Sequence, residues 1–265
     1  GRDQLSNAFR KRWTWIGVVI FVIGWGLGKV PVNPYDRLSW RYDVYPLNAV
    51  YNIGFALRKA ERNSNYAQTS ADFRYEATKT MEAADKREIY VLVVGETSRA
   101  MEWSLYGYER PTTPCLEATE GLVYFRDAVT QSNNTHKSVP IILSPACAEE
   151  YDVLYRTKSI ITAFKEAGFH TLVIANQKLT TSMIRSYYRE ADQFIDLSAI
   201  PTGSLLTSHH DGEIVPFLRE QLVQTSGNLF VVLHTYGSHF NYRERYPETF
   251  RHSTPDKVEG IRPAY

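Results

Sequence analysis

Three short polar runs in this 265-residue chain follow apolar or mixed segments and carry groups capable of chemistry. The apolar stretch Val91-Leu92-Val93-Val94-Gly95 leads into Glu96-Thr97-Ser98-Arg99. Open α/β sheets bind ligands outside the carboxyl ends of their strands, so Glu96 stands where a carboxylate would hold a metal or a polar substrate. The plainer alternative is a strand end facing water. The second run is Ser132-Asn133-Asn134-Thr135-His136-Lys137-Ser138-Val139-Pro140. A hydroxyl such as that of Thr135 is a weak nucleophile unless a metal or a base draws off its proton. A Thr at a loop-to-helix junction also commonly caps the helix, and a helix N-terminus in turn favours anionic ligands. A third run, Leu233-His234-Thr235-Tyr236-Gly237-Ser238-His239, places two imidazoles five residues apart at the end of an apolar segment. They suit proton transfer or ligand contact, or are satisfied polar groups at a strand end.

Taken in order, Gly95-Glu96-Thr97-Ser98-Arg99, Thr135-His136-Lys137-Ser138-Val139-Pro140 and Leu233 to His239 resemble the G-E-T-x-R, T-x-x-S-V-P and L-H-T-x-G-S-H motifs of the phosphoethanolamine transferases of Gram-negative inner membranes, of the alkaline phosphatase and sulfatase superfamily. Tyr106-Gly107-Tyr108-Glu109-Arg110 is similar to that family's N-G-Y-x-R turn. The resemblance implies a zinc site with Glu96 and Thr135 in the metal shell and Thr135 as nucleophile. It further implies that His239, His234, Asn176 and Lys178 contact the substrate. The implied donor is phosphatidylethanolamine and the implied acceptor lipid A or another envelope glycan, with a phospho-threonine-type intermediate. Rival expectations are a phosphoglycerol transferase or sulfatase-like phosphodiester hydrolase on the same fold, or a non-catalytic membrane-anchored binding domain. Family members often bracket the nucleophile with a disulfide; Gln131 and Ile141 stand at those positions here.

His209-His210-Asp211-Gly212-Glu213 is superficially like the family's D-H-G-E metal motif, but it precedes the His234 segment and leads into a helix. Asp211 is therefore expected to be a helix N-terminal residue rather than a ligand. The Asp and His that would complete the zinc site are expected beyond Tyr265, and the chain is expected to be an internal fragment with the C-terminal part of the fold missing.

The elements that must position these groups alternate. Strands are expected at Ile89 to Gly95, Leu122 to Phe125, His170 to Ala175, Gln193 to Leu197 and Leu229 to His234, and helices at Ser159 to Gly168 and Gly212 to Gln224. Near-continuous apolar strands between amphipathic helices indicate an α/β fold, a mostly parallel sheet sandwiched by helices, over 88–265. Before it, residues 31–87 are expected to form a linker with helices at Leu47 to Leu57 and about Ala71 to Lys86. Trp13 to Gly28 carries no charge and lies between Arg10-Lys11-Arg12 and Lys29, which predicts one transmembrane helix within residues 1–30. The basic flank would face the cytoplasm, placing the catalytic domain in the periplasm of a bacterial inner membrane. A net charge of +1 implies no polyanion, hence no nucleic-acid partner. Two cysteines, Cys115 and Cys147, are too few to identify the redox compartment or to establish a pairing.

Overall fold

A computed structural model describes residues 2–27, 43–80, 86–179, 182–202, 209–240 and 242–250. The expected linker start around Pro31 and Pro34 lies outside them. The chain divides into two units, Gly1–Arg62 and Asn63–Tyr265, so the boundary expected at 87/88 falls inside the second.

The first unit holds helix α1 (Arg2–Leu27) and most of helix α2 (Leu47–Thr69). No helix among the described residues is long and apolar enough to cross a membrane. Helix α1 starts at Arg2, so its charged first half belongs to the same rod. Helix α2 runs well past the expected Leu57 end, because no Gly or Pro interrupts Arg58 to Thr69.

The second unit is built on four parallel strands: β1 (Ile89–Val94), β2 (His170–Ala175), β3 (Gln193–Asp196) and β4 (Leu229–His234). Their order is β1-β4-β2-β3. Helices α3 (Pro114–Glu117) and α4 (Thr135–Leu143) follow β1, helix α5 (Ile160–Glu166) precedes β2, α6 (Met183–Tyr188) precedes β3, and α7 (Ile214–Gln224) precedes β4. The central strands β2 and β4 consist almost wholly of apolar residues because both faces are covered. One face carries Val173, Ala175, Phe230 and Val232 against α4, α5 and α6, with Phe164 of α5 stacked on Phe230 at 3.9 Å between ring centroids. The other carries Leu172, Ile174, Leu229 and Val231 against Ile214, Phe217, Leu218 and Leu222 of α7. The register pairs Val94 with His234, His234 with Ala175, and Ala175 with Asp196. All four strands therefore end level, and whatever follows Val94, Ala175 and His234 emerges on one rim.

Two expected elements differ. Leu122 to Phe125 is not a strand: Val123 and Phe125 are exposed and the segment pairs with none of the four strands. Residues 73–80 are not helical, although Ala, Glu and Lys favour a helix there. Instead the backbone N–H groups of Tyr75 and Ala77 donate to the Glu166 carboxylate, and the Tyr75 hydroxyl to Lys158 O. Tertiary acceptors displace the i−4 carbonyls that a helix would use. The part of this expected helix at 81–85 lies outside the described residues.

Glu190 ties the C-terminal end of α2 to the domain. Its carboxylate accepts from the Tyr66 hydroxyl, from Ser159 N at 2.9 Å, Ser159 Oγ at 2.6 Å and Thr162 Oγ1 at 2.8 Å. Ser159 and Thr162 are buried, so removing their acceptor leaves donors that water reaches poorly. Glu190→Ala is expected to lower the unfolding free energy by on the order of 2 kcal/mol or more, read by urea denaturation. Wild-type stability in this variant would show the carboxylate cluster to be dispensable.

Candidate active site

Strand β1 delivers Glu96 to the rim, and the backbone bends sharply as it does so. Thr97 sits at φ 51°, and its hydroxyl donates to Glu96 Oε1 at 2.9 Å. The other carboxylate oxygen, Oε2, accepts from Thr135 Oγ1 at 2.8 Å across 39 residues of sequence. Both residues are partly exposed, so the pair faces the surface rather than the core.

Thr135 is free to do this because it is not the helix cap. Asn134 occupies that position, its Oδ1 accepting from His136 N at 3.0 Å, and Thr135 becomes the first residue of α4. The side chain at a cap turns back onto the helix N–H groups; one residue later it points away, towards Glu96. Pro140 lies inside α4 and cannot donate to the carbonyl of His136, an oxygen that the Tyr151 hydroxyl reaches at 3.3 Å. Burial pushes the Tyr151 hydroxyl up to about 12, so it stays protonated and able to donate. Gln131 Oε1 accepts from Ala148 N at 2.7 Å. Cys115 and Cys147 are both free thiols.

The turn after β4 wraps over Glu96. Thr235 N donates to Val94 O and Ser238 N to Glu96 O, each at 3.1 Å. Gly237 lies at φ 55°, and a Cβ there would stand 2.3 Å from Glu96 O, so conformation and space both demand glycine. Asp211 opens the short turn before α7, at a helix start as the sequence predicts, and its carboxylate takes part in holding this loop. Its Oδ1 accepts from Tyr236 N at 2.7 Å and Asn176 Nδ2 at 2.8 Å, and its Oδ2 from Gly237 N at 2.8 Å. Sequence reasoning missed this contact. The available signal was an acidic residue at a helix start that has an expected strand-end loop rich in free N–H groups to bind.

The remaining sequence candidates separate by exposure. His239 is partly exposed, its ring 5.2 Å from that of Tyr236 and 4.4 Å from that of Phe240. Lys178 is exposed on the loop after β2. Asn176 is 1% exposed, its amide donating to His209 O and to Asp211. His234 is wholly buried, with Nδ1 2.8 Å from the Tyr188 hydroxyl and Nε2 without a partner among the described residues. As packed, it offers no surface atom to a substrate, unlike the role the sequence suggested. Burial holds its pKa down to about 4, against smaller opposing influences of Glu96 and Asp211, so it is neutral at physiological pH.

Glu96 Oε2 and Thr135 Oγ1 bring two oxygen atoms together on the rim. Among the described residues, no three His, Cys, Asp or Glu side chains cluster to hold a metal.

The family model for sulfatases matches residues 88–265, from the start of β1 through the site and on to Tyr265. The chain belongs to the sulfatase family. Within this family it is 29% identical over 173 residues to the phosphoethanolamine transferase CptA of Salmonella typhimurium, covering 63% of this chain and 30% of that protein. It is 30% identical over 178 residues to phosphoethanolamine transferase EptA of Escherichia coli K12, covering 66% and 32%. This sulfatase-family chain thus spans about a third of the length of these relatives. Among solved structures, lipooligosaccharide phosphoethanolamine transferase A of Neisseria meningitidis superposes with a TM-score of 0.64 at 25% identity, covering 80% of this chain and 39% of that one. The C-terminal periplasmic domain of Escherichia coli EptC, in complex with zinc, gives a TM-score of 0.59 at 28% identity, covering 68% and 53%.

The burial of His234 makes a prediction about pH. Its folded pKa lies below the unfolded value of 6.5, so the stability it permits is complete above about pH 6.5 and declines as pH falls towards 4. His234→Gln keeps a partner for Tyr188 but does not titrate. Urea denaturation between pH 7 and pH 4 should show up to about 3 kcal/mol less acid destabilisation in this variant than in the wild type. An unchanged slope would mean that His234 takes up its proton in the folded state.

Proposed function

We propose that this chain carries the nucleophile half of a phosphoethanolamine transferase working at the outer face of a bacterial inner membrane. The observation that carries this reading is the 2.8 Å contact between Thr135 Oγ1 and Glu96 Oε2 on the rim of a parallel sheet. A hydroxyl held by a carboxylate at the N-terminus of a nine-residue helix is a nucleophile beside a site that favours phosphate charge. The relatives named for phosphoethanolamine transfer indicate which phosphoryl group is moved.

In this reading Thr135 Oγ attacks the phosphorus of phosphatidylethanolamine. The Oγ–P bond forms as the P–O bond to diacylglycerol breaks, the hydroxyl proton passes to Glu96 Oε2 and on to solvent, and the diacylglycerol oxygen takes up a proton from solvent as it leaves. An oxygen of the acceptor, lipid A or another envelope glycan, then attacks the same phosphorus, and Thr135 leaves and is reprotonated. Glu96 orients the hydroxyl for the first step and receives it back after the second. Partly exposed His239 and exposed Lys178 would be the groups available to the incoming phosphate, while buried Asn176 and His234 would support the loops from behind. Zinc would be held by Glu96 and Thr135 together with further ligands, and when bound it would supply positive charge that lowers the pKa of a hydroxyl. Threonine at the nucleophile position argues against sulfate-ester hydrolysis, for which a Cys or Ser able to be oxidised would stand there.

Thr135→Ala in the full-length protein removes one hydroxyl whose hydrogen bond is to Glu96, and α4 keeps its Asn134 cap. The variant should fold, with a midpoint within a few degrees of wild type, and lose transfer by more than about a thousandfold. Mass spectrometry after incubation with phosphatidylethanolamine should find a phosphoethanolamine adduct on Thr135 of the wild type. An adduct on another residue, or an active Ala variant, would reject the assignment.

A further inference from the structure

We infer that Asp211 is a positioning residue for the catalytic pair, acting through the 235–238 turn on the backbone of Glu96. Asp211 lies 115 residues from Glu96 in sequence and reaches it in two steps. First, its carboxylate accepts the consecutive N–H groups of Tyr236 and Gly237 and the side-chain amide of Asn176, so three donors meet two oxygens. Second, the turn so gripped donates Ser238 N to Glu96 O and presses Gly237 against the Glu96 backbone so closely that a Cβ would stand 2.3 Å from that oxygen. Glu96 in turn holds Thr135. The chain of contacts is continuous, and every link is a hydrogen bond or a van der Waals stop.

The physical case rests on what the backbone would do without the carboxylate. Strand β4 ends at His234, so the N–H groups of Tyr236 and Gly237 point beyond the sheet and have no strand to pair with. A carboxylate can accept both at once; a neutral amide of the same shape offers one oxygen and turns its own N–H₂ towards a donor. Loss of that grip frees the turn to move off Glu96, where the sheet no longer constrains the chain. A shift of about 1 Å in a positioned group is enough to cost orders of magnitude in rate. The His209-to-Glu213 segment therefore acts on the catalytic pair through the 235–238 turn. His209 and Glu213 secure it from the other side: His209 Nδ1 meets Glu213 Oε2 at 2.6 Å, and its Nε2 meets Ile200 O at 2.8 Å.

The inference rests on the assignment of Thr135 and Glu96 above, and its test separates the two. Asp211→Asn in the full-length protein should raise amide hydrogen exchange in peptides covering 234–240 and 94–100 together, leaving β2 and α7 protected. It should also lower kcat for phosphoethanolamine transfer by roughly tenfold or more with KM within about twofold. Gly237→Ala perturbs the same turn from the other side and should give the same paired pattern even if Asp211→Asn fails to fold. The double variant should be little worse than the poorer single one, since both break one chain of contacts. Gly168→Ala is the stability control. Gly168 lies at φ 85° before β2, at the opposite end of the strands, so this variant should lower Tm while keeping kcat. Unchanged exchange at 94–100, a global rise in exchange with kcat retained, or strictly additive losses would overturn the inference. If the wild type transfers no phosphoethanolamine, the proposed function fails, while the paired exchange of the two peptides still decides whether Asp211 holds Glu96.

Discussion

A carboxylate oxygen and a hydroxyl 2.8 Å apart, Glu96 Oε2 and Thr135 Oγ1, join the end of β1 to the start of α4, and the neighbouring loops are arranged around that contact. It needs both partners delivered to the same rim. The parallel register supplies the first by ending β1, β4 and β2 level with one another. Asn134 supplies the second by taking the cap position, so that the next side chain points outward. A one-residue shift in either would separate the pair: Glu96 would turn to the other face of the strand, or Thr135 would be used up in capping.

The polar groups at and after the strand ends are of two kinds. Glu96, Thr135, His239 and Lys178 are at least partly exposed and can meet a ligand. Asn176 and His234 are buried, satisfied in part by neighbours, and cannot do so as packed. His234 is neutral and hydrogen-bonded to Tyr188, a hydroxyl whose pKa burial pushes far up, so neither group brings charge beneath the carboxylates of Glu96 and Asp211. A charged imidazole there would draw on those carboxylates and compete for the negative potential that orients the Thr135 proton. Burial keeps the support neutral and leaves the charge at the surface.

Much of this was legible in the sequence, for identifiable reasons. Strands β1, β2 and β4 are uninterrupted apolar runs closed by polar residues, and that pattern leaves little room for another element. Glu96 and Thr135 were legible because each ends or begins such an element. Leu122 to Phe125 has the same apolar character but no neighbouring strand, and pairing is not written in a single segment. Residues 71–80 carry helix-favouring side chains, yet Glu166, almost a hundred residues on, captures their N–H groups. Asp211 was placed correctly at a helix start, while its grip on the turn after β4 is a contact across 25 and 26 residues, signalled only by an acidic residue at a helix start and a donor-rich loop after a strand.

The central claim is that Glu96 readies the Thr135 hydroxyl for the first half of a two-step transfer. Rapid-quench measurement of diacylglycerol release from phosphatidylethanolamine, by full-length protein without any acceptor, tests it directly. The wild type should give a burst of about one diacylglycerol per active site, and Glu96→Gln should slow that burst by on the order of a hundredfold while the protein stays folded. A burst of undiminished rate in Glu96→Gln, or release in the wild type with no burst at all, would contradict the account.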